Sequence, residues 1–121
     1  MPSLELTLPP NELRVNRRLG RHWGSTQAAK KNYAMRVAFD LSGQRGVTME
    51  GPWPVRLDVT LVLGPRQRCD NPDAGTWCKS LFDVLTRLGF WPDDSATYLD
   101  PITFHVEKKD RKNPRVVLRW T

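Results

Sequence analysis

Residues 3–8, SLELTL, carry apolar side chains at every second position, the period of a half-buried strand. Pro9-Pro10 then remove two backbone donors and end the pairing. A longer alternation, VRLDVTLVL at residues 55–63, puts Val55, Leu57, Val59, Leu61 and Leu63 on one face before Gly64-Pro65 stop it. Residues 96–107, ATYLDPITFHVE, and 114–120, PRVVLRW, read as two further strands, and KKDRKN between them has the composition of a hairpin loop. Elsewhere the period lengthens to that of a helix. Ser25 or Thr26 caps one that runs to about Gln44, with Tyr33, Ala34, Val37, Ala38 and Leu41 facing inward. A second covers roughly residues 76–88, where Trp77, Leu81, Val84, Leu85 and Leu88 form one apolar stripe and Gly89 supplies the stop. Pro92 biases Trp91 toward extended backbone, so FWPDD reads as a connector. Residues 11–24, NELRVNRRLGRHWG, keep neither period and read as an extended or irregular basic segment. The pattern predicts an α+β fold, one domain over residues 1–121, with a mixed or antiparallel sheet of about four strands and two main helices.

Composition narrows the class of partner more than the fold. A chain of 121 residues, 39% hydrophobic and with five Trp, buries a core without disulfides or zinc. Its formal net charge of +6 points to nucleic acid or another polyanion. No apolar run approaches the ~18–20 residues of a membrane span, and MPSLELTLPP lacks the charged start and apolar centre of a signal peptide, so a cytoplasmic protein without membrane contact is expected. Cys69 and Cys78 match no zinc spacing; a zinc site would have to recruit His22 and His105, and the two thiols read as reduced packing residues. Arg14, Arg17, Arg18 and Arg21, with Trp23 as a stacking face, make either a solvated loop or an arm for phosphates. Lys30 and Lys31 off the apolar face of the first helix, Arg66 and Arg68, and Lys108, Lys109 and Lys112 are the other candidate DNA contacts.

Against this basic background the carboxylates are gathered in one stretch. Asp70/Asp73 and Asp93/Asp94 flank the second helix, which carries Lys79 and Asp83 four residues apart on its polar face. Each acidic pair alone reads as a helix start or a turn after proline. Together, with a lysine between them, they are the set that Mg²⁺-assisted phosphodiester cleavage requires: oxygen ligands for the cation and a positive charge for the phosphate. The helix advances about 18 Å at ~1.5 Å per residue. Five extended residues after Gly89 recover about 16 Å, so the clusters meet if the connector doubles back along the helix. There is no competing Ser/His/Asp or Cys/His grouping and no Gly-rich phosphate loop.

The ordered string of an acidic run, Lys79, Phe82-Asp83-x-Leu85 and Gly89-x-Trp91-x-Asp93-Asp94-Ser95 resembles the RusA-type Holliday junction resolvases. The N-terminal half is similar as well: a strand, Pro9-Pro10-Asn11, an arginine-rich segment with His22-Trp23, then a helix bearing Lys and Tyr. The resemblance implies an α+β homodimer that binds branched DNA at four-way junctions and cuts it with Mg²⁺, Mn²⁺ being an alternative. It implies Asp70 and Asp94 as metal-binding carboxylates and Lys79 as the phosphate-side lysine. The chain's own pattern adds Asp73 to the catalytic metal ligands, Asp93 as their support, and Asp83 as the residue that orients Lys79 across one helical turn. The chain departs from the family's Asp-x-Asp-Asn run at Asp70-Asn71-Pro72-Asp73, where the second Asp is displaced by one position. Two other readings therefore stand beside the nuclease: a non-catalytic branched-DNA-binding module of the same fold, and a small nucleotide phosphohydrolase.

Overall fold

A computed structural model of the chain describes residues 2–10, 13, 23–44, 46–64, 67, 69, 71–107 and 112–121, with backbone alone at 23–26, 71 and 72. Four strands, β1 (Ser3–Leu6), β2 (Val55–Val62), β3 (Leu99–Glu107) and β4 (Arg115–Trp120), and two helices, α1 (Trp23–Ser42) and α2 (Asn71–Arg87), make an α+β fold with one mixed sheet. Both helices start earlier than their periodicity predicts, α2 by five residues, because a first turn needs no apolar stripe. Pro72 tolerates a position whose amide would be unpaired anyway, and Asp73 favours the positive end of the helix dipole.

The sheet order is β1-β4-β2-β3. β2 pairs parallel with β3 and antiparallel with β4, and β4 also pairs antiparallel with β1. The hairpin expected between the last two strands does not form; β2 lies between them. The reason is burial. β2 has an apolar inner face and buries Thr60 and Val62 on the other, so it takes the centre and is paired on both sides. α2 is the crossover that a parallel β2–β3 pair needs. β3 carries Pro101, which cannot donate to a ladder, and it lies at the edge, where its register slips opposite residues 55–57.

Cross-strand rows define the inner face: Leu6, Val116, Leu61 and Val106 form one, and Leu4, Leu118, Val59 and Phe104 the next. Onto these rows α1 packs Tyr33 and Val37 while α2 packs Ala74, Trp77, Cys78, Leu81 and Leu85, all in one continuous core. Ala38 and Leu88, expected to face inward, are exposed; Leu88 follows the last helical turn, where the stripe has rotated off the core. The opposite face of the sheet is mostly polar around buried Val62 and Val117, and there His105 approaches Asp58 at 4.0 Å. Among the described residues no helix is long and apolar enough to cross a membrane.

Candidate active site

α2 sets the site because one side of it is committed to the core and the other is not. Trp77, Leu81 and Leu85 are buried, and the Trp77 indole donates to the Pro9 carbonyl at 3.0 Å, tying the helix to the chain after β1. Asp73, Lys79, Asp83 and Arg87 are exposed. Lys79, Asp83 and Arg87 recur every four residues and therefore form a single stripe. With Lys30 and Tyr33 of α1, and with Leu13 and Val84, they line a cleft of about 230 Å³ between the two helices. No ion pair joins Lys79 to Asp83, Lys30 or Arg87 to any carboxylate among the described residues. Ser80 Oγ, in the same lining, is buried without a hydrogen-bond partner. Tyr33 does have one: its hydroxyl donates to the Thr7 carbonyl at 2.8 Å, and burial raises its pKa well above the ordinary phenol value.

The connector after α2 doubles back. Gly89 has a φ of 78°, which only glycine adopts readily. Phe90 N donates to Leu85 O at 3.0 Å and Gly89 N to Thr86 O at 3.1 Å, the paired bonds of a Schellman stop. Trp91 then lies edge-on to Phe82, with centroids 5.4 Å apart, and its indole donates to Thr86 Oγ1 at 2.7 Å. Phe82 in turn stacks on Phe104 of β3 at 6.0 Å. This clamp directs the chain back along the helix that it has just left.

The result is an acidic group that spacing alone does not assemble. The Asp94 carboxyl is held above the usual aspartate range by partial burial first, then by the charges of Asp93 and Asp83. A side-chain hydrogen bond with Asp93 acts in the same direction, and one to its own backbone amide opposes it. Asp94 thus lies within electrostatic range of Asp83 on α2 as well as of its neighbour Asp93. Asp73 is ten residues nearer the helix start, about 15 Å along the axis, and it is not among the charges that shift Asp94. Asp83 interacts with Asp94, not through an ion pair with Lys79, so its place is between the acidic group and the cleft.

Mg²⁺ needs hard oxygen ligands, and these carboxylates are of the right kind. Yet among the described residues no group of three or more Asp, Glu, His or Cys is arranged to hold a metal ion. The described carboxylates by themselves therefore do not complete a Mg²⁺ site, and Asp70 lies outside the described residues. So do Arg14, Arg17, Arg18, Arg21, Arg66, Arg68, Lys108 and Lys109, together with the Trp23 side chain. Lys112 is exposed between β3 and β4. Lys30 and Lys31 line a second groove, of about 490 Å³, with Arg87, Met35 and Leu88. Cys78 belongs to the core; burial, and then Cys69, push its thiol up to about 12, which leaves it unreactive at neutral pH.

Arg87 and Ser80 did not figure among the expected site residues. Arg87 had a signal, the four-residue spacing from Lys79 through Asp83. Lys30 is an expected DNA contact, but its place opposite Arg87 has no signal in the sequence, because only the crossing of α1 over α2 brings it there. No protein-family model matches the chain, and no curated protein matches it significantly in sequence.

Proposed function

We propose that the protein is a Mg²⁺-dependent, structure-selective endodeoxyribonuclease that resolves four-way DNA junctions, acting in the cytoplasm as a homodimer. One observation carries this reading: the connector doubles back with Trp91 packed on Phe82, which puts Asp94 within electrostatic range of Asp83, on the same helix face that presents Lys79 to a basic cleft. Carboxylates and a phosphate-facing cation then border one another, as phosphodiester hydrolysis requires. In this reading the expected set of Asp70, Asp73 and Asp94 narrows at the described end to Asp94 with Asp93 and Asp83, which would hold the cation, because Asp73 lies about 15 Å from Asp83 along the helix axis. A metal held there would supply Lewis-acid polarisation and an activated water. Lys79 neutralises charge on the phosphate, while the arginines between Arg14 and Arg21 and the lysines between Lys108 and Lys112 contact backbone phosphates. Such contacts read shape and strand path rather than sequence. A two-fold dimer presents two such sites to a junction that is itself two-fold symmetric, which suits paired cuts.

A second reading has its own observation. Pro72 interrupts the acidic run, and the described carboxylates leave a ligand set incomplete. A branched-DNA-binding module with a defective metal site is consistent with both. A labelled synthetic four-way junction, incubated with Mg²⁺ or EDTA and with wild type or Asp94→Asn, decides between them. The nuclease gives symmetric paired nicks that need Mg²⁺ and disappear in the variant. Salt-sensitive binding without nicks in Mg²⁺ or Mn²⁺ would instead establish the binding module.

A further inference from the structure

The cleft between α1 and α2 contains more positive charge than a single phosphate-side lysine. Among the described residues Lys30, Lys79 and Arg87 line it against one carboxylate, Asp83. None of the three cations is spent on an ion pair among the described residues. Fold stability does not account for them. Ser80 Oγ adds a buried hydroxyl with no partner, although buried polar groups are nearly always satisfied. Leu13 and Val84 give the cleft an apolar wall, which strengthens any charge interaction made inside it. Tyr33 contributes a ring face and not a donor, since its hydroxyl proton is already given to Thr7.

These features specify a ligand. It must be anionic, to answer three cations. It must offer several acceptor oxygens, to meet an ammonium, a guanidinium and a hydroxyl together. It must also be small, because about 230 Å³ lies below the ~300–1,000 Å³ of a drug-sized pocket. We propose that this cleft is a phosphoryl-binding site in which Lys30 and Arg87, from opposite helices, clamp the phosphoryl oxygens and Ser80 Oγ donates to one of them. Lys79 stands on the Asp83 side and is shared with the acidic group. The phosphoryl group has two possible sources: a backbone phosphate of DNA, which rests on the nuclease or binding-module reading, or a free phosphate or nucleoside monophosphate, which does not. In the first case the clamp fixes one phosphate at the edge of the acidic group and so selects the strand path that leads to Asp94.

Backbone amide resonances of Ser80, Asp83 and Val84, followed during titration in EDTA, test the site without any cutting. The titrants are inorganic phosphate, thymidine 5′-monophosphate and a four-way junction, each added to wild type, Lys30→Gln, Arg87→Gln and Ser80→Ala. Saturable shifts with any titrant are expected, weakened about tenfold in each cation variant. If the junction shifts these amides far below the concentrations that the small molecules need, the source is DNA. The salt slope of junction binding then falls by about one for each cation removed. If thymidine monophosphate acts as tightly as the junction, the source is free phosphate. Two results would overturn the proposal: no saturable shift with any titrant, or shifts with unchanged midpoints in the folded Lys30→Gln and Arg87→Gln variants. Failure of the nuclease reading looks different, as absent nicks with the amide shifts intact.

Discussion

The two ends of α1 do opposite things with their polar side chains. Toward the C-terminus every polar group has a partner. Asp40 Oδ2 accepts from the Thr7 amide at 2.8 Å and the Thr7 hydroxyl at 2.7 Å, and Arg36 reaches Oδ1 at 3.4 Å. Gln44 imitates a neighbouring strand: its amide group donates to Glu5 O at 2.6 Å and its carbonyl accepts from Glu5 N at 2.9 Å. β1 is an edge strand, and these side chains cover the groups that an edge leaves open. Toward the other end, Lys30 faces Lys79 and Arg87 across a cleft with no partner for any of them among the described residues. Polar groups at the first end are consumed by folding. Those at the second remain available, and availability is what a binding site needs.

The open end depends on a closed core beneath it, and the largest expected effect lies there. Phe82 is 7% exposed and supports both Trp91 and Phe104. Phe82→Ala should cost about 3–5 kcal/mol in urea unfolding, and freeing the connector should return Asp94 toward the ordinary aspartate range in an NMR titration. A cost below about 1 kcal/mol would show that the ring is not the clamp. Next in size is the closed corner. Asp40→Ala removes a charged acceptor from two Thr7 donors and should cost about 2–3 kcal/mol, whereas Lys79→Gln and Arg87→Gln should stay within about 0.5 kcal/mol of wild type. Equal losses at both ends would abolish the distinction drawn between them.

The same division explains what could be read from the residues alone. The strand over 55–63 and the helix carrying Trp77 to Leu85 were readable because their alternation and their 3.6 period arise from burial, and burial is written locally. The expected β3–β4 hairpin is absent because pairing is a competition. Nothing within KKDRKN records that β2 takes both neighbours. Chain length and the position of Gly89 make the doubling back of FWPDD feasible. That it stops at Asp83 follows from Phe82 and Trp91 packing together, which no spacing rule encodes. Lys30 is the extreme case, since its role depends on a helix crossing between residues about fifty positions apart in sequence.

The smallest effect has the most informative sign. Because Asp94 is raised above its unfolded value, the stability it contributes is fully present below the unfolded pKa and is lost as pH rises through the folded one. At neutral pH the ionised carboxylate is therefore a liability, partly buried and facing Asp93 and Asp83. Asparagine keeps the shape and cannot ionise. Asp94→Asn should accordingly melt at a slightly higher temperature than wild type at pH 7, with the difference closing as pH falls below about 4. A cation at this group reverses the order, since a ligand that binds only the native state stabilises it. Saturating Mg²⁺ should raise the wild-type melting temperature and leave that of Asp94→Asn where it was. A variant that is less stable than wild type in EDTA at pH 7 would mean that Asp94 serves the fold, and the acidic group would then resemble the closed end of α1 rather than the open one.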